Sequence, residues 1–220
     1  ARWGETYMED KVDARILIAR PRVPREFYKR RASTVAPELL GLILVHETPE
    51  GITAGRIVEA EAYEGPEDRA CHAFGGRRTP RTDVMFGPPG YAYVYFTYGM
   101  HWLFNVVVGE EGLPHAVLVR SIEPLAGLDL MFERRRGRLP LAEGPARMTQ
   151  AMGIDGMDNG KDLVSSDLYI VTPPSGLDAP VEYIATERIG VDYSGEWRHM
   201  PWRFVKKGSG PSRSPAERRG

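Results

Sequence analysis

A chain of 220 residues with 42% hydrophobic and 10% aromatic content can fill one core, or at most two small ones, and its 24 glycines and 18 prolines favour turns and loops over a helical bundle. A formal net charge of -1 lacks the basic footprint of most nucleic-acid binders, and one cysteine, Cys71, excludes an internal disulfide and a zinc site built on several thiolates. The longest apolar runs, such as Leu42–Val45 and Val106–Val108, are strand-sized and far short of a membrane span.

The charge is patchy. Arg77, Arg78 and Arg81 form one basic cluster, Arg134, Arg135, Arg136 and Arg138 a second, and Lys206, Lys207, Arg213, Arg218 and Arg219 a basic tail. Acids gather in the first ten residues and in Glu59–Asp68. Such runs are commonly solvated faces, so charge alone leaves the partner open.

In chain order, residues 1–13 are polar, bear acids and lack a signal-peptide pattern, which predicts a flexible N-terminal segment on an intracellular protein. Pro24–Leu40 reads as helical and Leu42–His46 as a strand, followed by a turn at Pro49-Glu50-Gly51. The next strand, Arg56–Tyr63, places Ile57, Glu59, Glu61 and Tyr63 on one face by the period-two rule. Two carboxylates there are badly placed for a core, because an unpaired buried carboxylate is costly or takes up a proton. Either the strand lines a cleft, where a carboxylate can activate water for glycosyl chemistry, or it is a solvated edge with paired acids.

Gly65-Pro66-Glu67-Asp68 breaks that strand, and Gly75–Thr82 is a loop rich in glycine and arginine. Tyr91, Tyr93 and Tyr95 alternate along a further strand, a tight Thr97-Tyr98-Gly99-Met100 connection follows, and His101–Val108 and His115–Ile122 are again strands. Pro124 at a first-turn position is expected to start an amphipathic helix with Leu125, Leu128, Met131 and Phe132 on one stripe. Gly144-Pro145 opens a short helix through Met152, strands and turns return from Asp167 to Val205, and residues 208–220 are expected to be a disordered basic tail. The order predicts a single α+β domain over residues 14–207, on a curved, mainly antiparallel sheet with flanking helices.

Several side chains are out of place for pure packing. Tyr98 and Met100 put large apolar groups at a hairpin tip, where small polar residues are usual. One use for such a tip is a wedge that fills a base stack after a nucleotide is extruded; the alternative is a tip tucked under a neighbouring loop. His72 follows Tyr63 across the Gly-Pro turn and can share its pocket. Asn105 and Arg120 sit inside apolar strands, where polar groups need partners, and guanidinium suits carboxylate or phosphate.

The runs Gly55–Tyr63, Gly65-Pro66-Glu67-Asp68, His72, Gly75–Arg81 and Met85-Phe86 together resemble the alkyladenine (3-methyladenine) DNA glycosylase family. Tyr93-Val94-Tyr95, Tyr98-Gly99-Met100, Asn105, Leu118-Val119-Arg120, Glu123-Pro124-Leu125, Gly144-Pro145, Arg188-Ile189-Gly190 and Gly195-Glu196-Trp197 continue the resemblance in order, to about residue 208. Cys71 and Ala73, on either side of His72, depart from the pattern and bear on lesion preference more than on chemistry.

The resemblance implies a base-excision-repair enzyme that flips alkylated or deaminated purines (3-methyladenine, 7-methylguanine, hypoxanthine, ethenoadenine) from double-stranded DNA and hydrolyses the N-glycosidic bond. It implies Glu61 as general base, with Arg120 and the Ile189 backbone carbonyl holding the attacking water. Tyr63, His72 and Tyr95 are implied to cage the base, with Asn105 at the pocket floor against the guanine amine. Tyr98, with Met100, is implied to intercalate, and Arg77, Arg78, Arg81 and Tyr93 to meet the DNA backbone. No lysine lies in this set, which points to simple hydrolysis, and neither cofactor nor metal is expected. A monomer without membrane contact is expected, in the cytoplasm or nucleoid of a bacterium or archaeon or in a eukaryotic nucleus. A non-catalytic binder of damaged nucleic acid would lack Glu61 and Arg120, and an N-glycosidase of free nucleosides or RNA would have no stack for Tyr98 to fill.

Overall fold

The strand that carries Glu59 and Glu61 is the longest among the described residues, and the sheet is built around it. In the computed structural model, which describes residues 8–209, the strands are β1 (Ile43–Thr48), β2 (Gly51–Tyr63), β3 (Ala92–Thr97), β4 (His101–Val108), β5 (His115–Ala126), β6 (Leu168–Val171), β7 (Tyr183–Thr186) and β8 (Arg203–Lys206). They pair antiparallel in the order β3-β4-β5-β2-β1-β6, as one curved, unclosed sheet. β1 pairs with the first half of β2, β8 pairs with Glu59, Ala60 and Glu61 farther along, and β7 closes onto β8.

Helices α1 (Ala14–Ile18), α2 (Arg25–Tyr28), α3 (Ala32–Leu39), α4 (Leu128–Arg134) and α5 (Pro145–Met152) complete an α+β fold. α3, α4 and α5 bury Val35, Leu39, Met131 and Met148 in a main core with Ala60, Ala62, Val94, Phe104, Val106, Val117 and Val119 of the sheet. A second core under α1 joins Leu17 to Val45, Tyr169 and Val171. The opposite face of β2, β3, β4 and β5 is covered by irregular segments, and there the polar residues gather.

Two expectations need correction. Ile57 lies in the main core with Ala60 and Ala62, so it does not share the face of Glu59 and Glu61. The cause is a pair of register shifts between β2 and β5: Ile57 faces Ile122, Glu59 faces Ser121 and Ala60 faces Val119. The extra residues, Val58 on one strand and Arg120 on the other, reverse the alternation, which is what a β-bulge does. Pro124 does not start a helix. It stays in β5 opposite Gly55, and α4 begins only at Leu128. β4 pairs with β5 only between His115 and Leu118, so the missing N–H of Pro124 interrupts no ladder with β4.

The expected flexible start is docked from residue 8 onward. The amides of Lys11 and Val12 donate to Leu125 O, and Val12 packs on the second core. Residues 1–7, and the tail from residue 210, lie outside the described residues.

Gly127 precedes α4 with φ 73°, and a Cβ there would stand 2.2 Å from the Ile52 carbonyl oxygen. Gly127→Ala is expected to destabilise the fold by about 3 kcal/mol, combining left-handed strain with overpacking. Gly160, with φ 83° and nothing within 4 Å of the built Cβ, carries only the strain, about 1 kcal/mol. Urea unfolding midpoints of the two variants test the difference.

Candidate active site

Glu61 is completely buried on the non-helical face of β2. Its Oε1 accepts from the Ile189 backbone N–H at 2.8 Å and lies 3.4 Å from an Arg120 Nη1, while its Oε2 accepts from the Tyr63 hydroxyl at 2.8 Å. The contact of Ile189 with Glu61 is through its amide, which leaves the Ile189 carbonyl free of this carboxylate. Glu59, one pleat back, is 1% exposed. It accepts from Arg120 Nε at 3.0 Å, Ser121 Oγ at 3.0 Å and Arg203 Nε at 2.7 Å. The bulge makes this possible, because it turns the neighbours Arg120 and Ser121 both toward Glu59.

Arg120 therefore serves two carboxylates. Burial alone would lower its pKa, but the charges of Glu61 and Glu59 outweigh burial and raise it, so the guanidinium is permanently charged. Burial and then the Glu61 charge push the Tyr63 phenol well above its ordinary value, so it donates its proton to Glu61 and does not ionise.

A second ion pair frames the site. Arg188 reaches both oxygens of Asp68, with the Nη2–Oδ1 contact at 3.0 Å, and also donates to the carbonyls of Ala62 and Trp197. Its guanidinium carbon sits 4.9 Å from the Tyr63 ring centroid. This fixes the turn after β2 against the segment that delivers Ile189. Sequence reasoning assigned no role to Arg188, Arg203 or Asp68; the nearest signal was an arginine directly before the apolar Ile189.

Above Glu61, the exposed ends of β3 and the loop after residue 68 build an aromatic wall. Tyr95 packs edge-on to His72 at a centroid distance of 4.7 Å, and Tyr93 and Tyr95 lie 5.3 Å apart. The Tyr93 hydroxyl is 3.0 Å from His72 Nδ1. Tyr93 is 2% exposed and faces His72, so the phosphate contact expected of it does not fit its placement. Asn105 is buried on this face, its amide donating to Tyr93 O at 3.1 Å. Arg81 stacks over Tyr95 with Cζ 4.7 Å from the ring, Arg78 pairs with Asp83, and Arg77 lies exposed on the same loop. His72, Arg77, Arg81 and Tyr193 border a recess of about 350 Å³. A larger recess, about 580 Å³ between Phe27, Leu40 and Tyr183, shares no residue with this constellation.

Beyond the wall, the β3–β4 hairpin ends on Tyr98 and Met100, 86% and 68% exposed. Tyr98 (φ 51°) and Gly99 (φ 67°) both adopt left-handed backbone, as a tight hairpin turn demands, though a tyrosine rarely accepts it. The tip is not tucked under a neighbour.

Among the described residues, the side chains that could meet around a cation lie elsewhere, at His46, Asp158 and Asp167. There the Lys161 ammonium already bridges the two carboxylates, at 2.7 and 2.6 Å. Among the described residues no helix is long and apolar enough to cross a membrane.

A family model described as methylpurine-DNA glycosylase matches residues 26–210. A Bacillus subtilis relative is 47% identical over 189 residues, covering 85% of this chain and 94% of its own length. Relatives from Clostridium acetobutylicum (45% over 195 residues) and Desulfitobacterium hafniense (44% over 198) cover 84% and 86% of this chain and 94% and 96% of their own. All three are assigned as 3-methyladenine DNA glycosylases. The protein is a DNA glycosylase, a hydrolase of base excision repair. It belongs to the methylpurine-DNA glycosylase family.

Desolvation by the tyrosines beside it, and then the Arg81 charge, lower the His72 pKa, although the side chain keeps contact with solvent. A depressed imidazole contributes stability above its ordinary value near 6.5 and loses it as pH falls toward 4, when the unfolded chain takes up the proton first. The His72 ring resonances are expected to titrate below the ordinary histidine value; a midpoint near 6.5 would show that the neighbouring tyrosines do not desolvate the ring.

Proposed function

We propose that the enzyme excises N-alkylated and deaminated purines (3-methyladenine, 7-methylguanine, hypoxanthine and ethenoadenine) from duplex DNA, with Glu61 as general base. The observation that carries this reading is the setting of Glu61: a fully buried carboxylate fixed by the Ile189 amide, the Tyr63 hydroxyl and Arg120, below a wall of tyrosine and histidine. A carboxylate has about four acceptor positions, and these three contacts leave capacity for one water.

The extruded base stacks against Tyr63, His72 and Tyr95, and its deoxyribose C1′ lies over Glu61. As the glycosidic C–N bond breaks, the purine leaves with the bonding electrons and the sugar becomes oxocarbenium-like, stabilised by the Glu61 charge. Glu61 takes a proton from water as the oxygen bonds to C1′, giving an abasic site; an N3- or N7-alkylated purine leaves as the neutral base, and a neutral lesion leaves as its anion and takes its proton from solvent. Alkylation at N3 or N7 makes the purine cationic, a good leaving group and a favourable partner for aromatic faces, by about 0.5–2 kcal/mol. Neutral His72 supports this selection, since an imidazolium would repel such a base. Asn105 borders the floor and excludes the guanine amine. Arg77, Arg78 and Arg81 meet phosphates around the extruded nucleotide, and the enzyme acts as a monomer.

Glu61→Gln keeps the size and the amide contact but removes the proton acceptor and the charge facing the sugar. Single-turnover excision is expected to fall at least about a hundredfold with lesion binding retained. Excision within about tenfold of wild type would end the assignment and turn attention to Glu59.

The exposed Tyr98 ring fills the gap left in the stack. Extrusion from a duplex costs a few kcal/mol of pairing and stacking, and an inserted ring recovers part of it. Tyr98→Ala should therefore slow excision from duplex much more than from a single strand carrying the same lesion. Equal losses on both substrates would place Tyr98 in the pocket or in folding.

A further inference from the structure

The second arginine cluster contains a buried cation without a counter-ion. Arg135, at the end of α4, is 9% exposed and its Nε is buried with no hydrogen-bond partner. Its Nη1 donates to the neutral Gln150 Oε1, at 2.5 Å. Burial, followed by the like charges of Arg147 and Arg138, pulls its pKa below the ordinary arginine value. Arg147 donates only to the Glu143 main-chain carbonyl, and none of the three makes an ion pair among the described residues. The adjacent Arg134 differs, pairing with Glu50 at 2.7 Å. Arg138 and Arg147 lie near enough to act on Arg135 through their charge, and a buried cation with no anion beside it is costly unless one arrives from outside.

The geometry points to a binding site for a DNA backbone phosphate at Arg135, Arg138 and Arg147, separate from the base pocket and flanking the lesion. Position favours DNA as the source. Thr149, between Arg147 and Gln150 on α5, donates its hydroxyl to Trp102 O at 2.7 Å, and Trp102 belongs to the hairpin whose tip is Tyr98. Tyr98–Met100 form the turn, so Trp102 lies two residues into β4, about 7 Å along the strand from the tip. Phosphates recur about every 3.4 Å along each strand, so a duplex pierced by Tyr98 carries phosphates a few base pairs away past α5. Arginine suits them, offering paired donors to phosphate oxygens. This inference rests on the proposed duplex substrate.

Arg138 and Arg147 are accessible, so the double variant Arg138→Gln/Arg147→Gln leaves the buried Arg135 in place. Affinity for a lesion duplex is measured against salt for this variant, the wild type and an Arg20→Gln control. Each lost phosphate contact should flatten the slope of log K against log[salt] by about 0.9, so about 1.8 for the pair, while excision at saturating enzyme stays unchanged. A slope equal to wild type overturns the assignment. Inorganic phosphate, added to each protein while its melting temperature is followed, separates the sources. If phosphate stabilises the wild type more than the variant and the DNA slope does not move, the site holds a free anion and the DNA assignment is overturned. If the slope flattens but the wild type excises no lesion, the phosphate site stands and the proposed substrate fails.

Discussion

One guanidinium shared by two buried carboxylates holds this active site in its shape. Glu59 and Glu61 project from the same face of one strand, and without a cation between them one would have to take up a proton. Arg120 lies 3.0 Å from the first and 3.4 Å from the second, and Arg203 adds to Glu59. With Asp68 and Arg188, the neighbourhood contains three acids and three arginines, so the buried charge sums to zero. Removing any single member would leave an uncompensated charge in a poorly solvated place, which is far worse than never having built the pair. The arrangement rests in turn on the backbone. Only because both strands carry an extra residue near Glu59 can Arg120 and Ser121 point the same way.

The two faces of the sheet divide the requirements of folding and chemistry. The helical face is filled by Ala, Val, Leu, Met and Phe and bears most of the burial. The other face carries tyrosines, carboxylates and arginines under irregular segments, where a groove for a ligand can exist without opening the main core. An uncomfortable residue stands at the exposed hairpin tip. Tyr98 combines left-handed backbone with an exposed ring, a conformation that a small polar turn residue would adopt at lower energy. Regular strand pairing behind it, from Thr97–His101 back to Ala92–Val106, supplies the rigidity that tolerates the turn.

Much of this was legible in the chain. Alternation placed Glu59, Glu61 and Tyr63 together, the tyrosine run after Gly90 read as a strand, and the odd hairpin tip stood out by its composition. Alternation failed where the sheet is irregular: a bulge leaves no mark in hydrophobic periodicity, so Ile57 was assigned to the wrong face. Pro124 misled because proline is compatible with both a first helical turn and a strand position that needs no amide. Arg203 carried no local signal, and Arg188 only its place in the Arg188-Ile189-Gly190 run, which assigns it no partner. Their roles come from contacts with Asp68 and Glu59 across 120 and 144 residues of chain, which only the fold can bring together. The burial of Tyr93 followed from its neighbours too, since His72 lies over it from another loop.

β2 is hydrogen-bonded on both sides where Glu59 and Glu61 lie, to β5 and to β8. Amides in such a position exchange with solvent mainly through opening of the whole molecule, because no edge is free to fray. The proposed base therefore has no private route to disorder: loops around the pocket can move while the carboxylate stays fixed. Heat or a destabilising substitution elsewhere would reduce the number of folded molecules and leave each survivor with an intact site. Loss of activity in such variants would then track abundance in the cell, with turnover per folded enzyme unchanged.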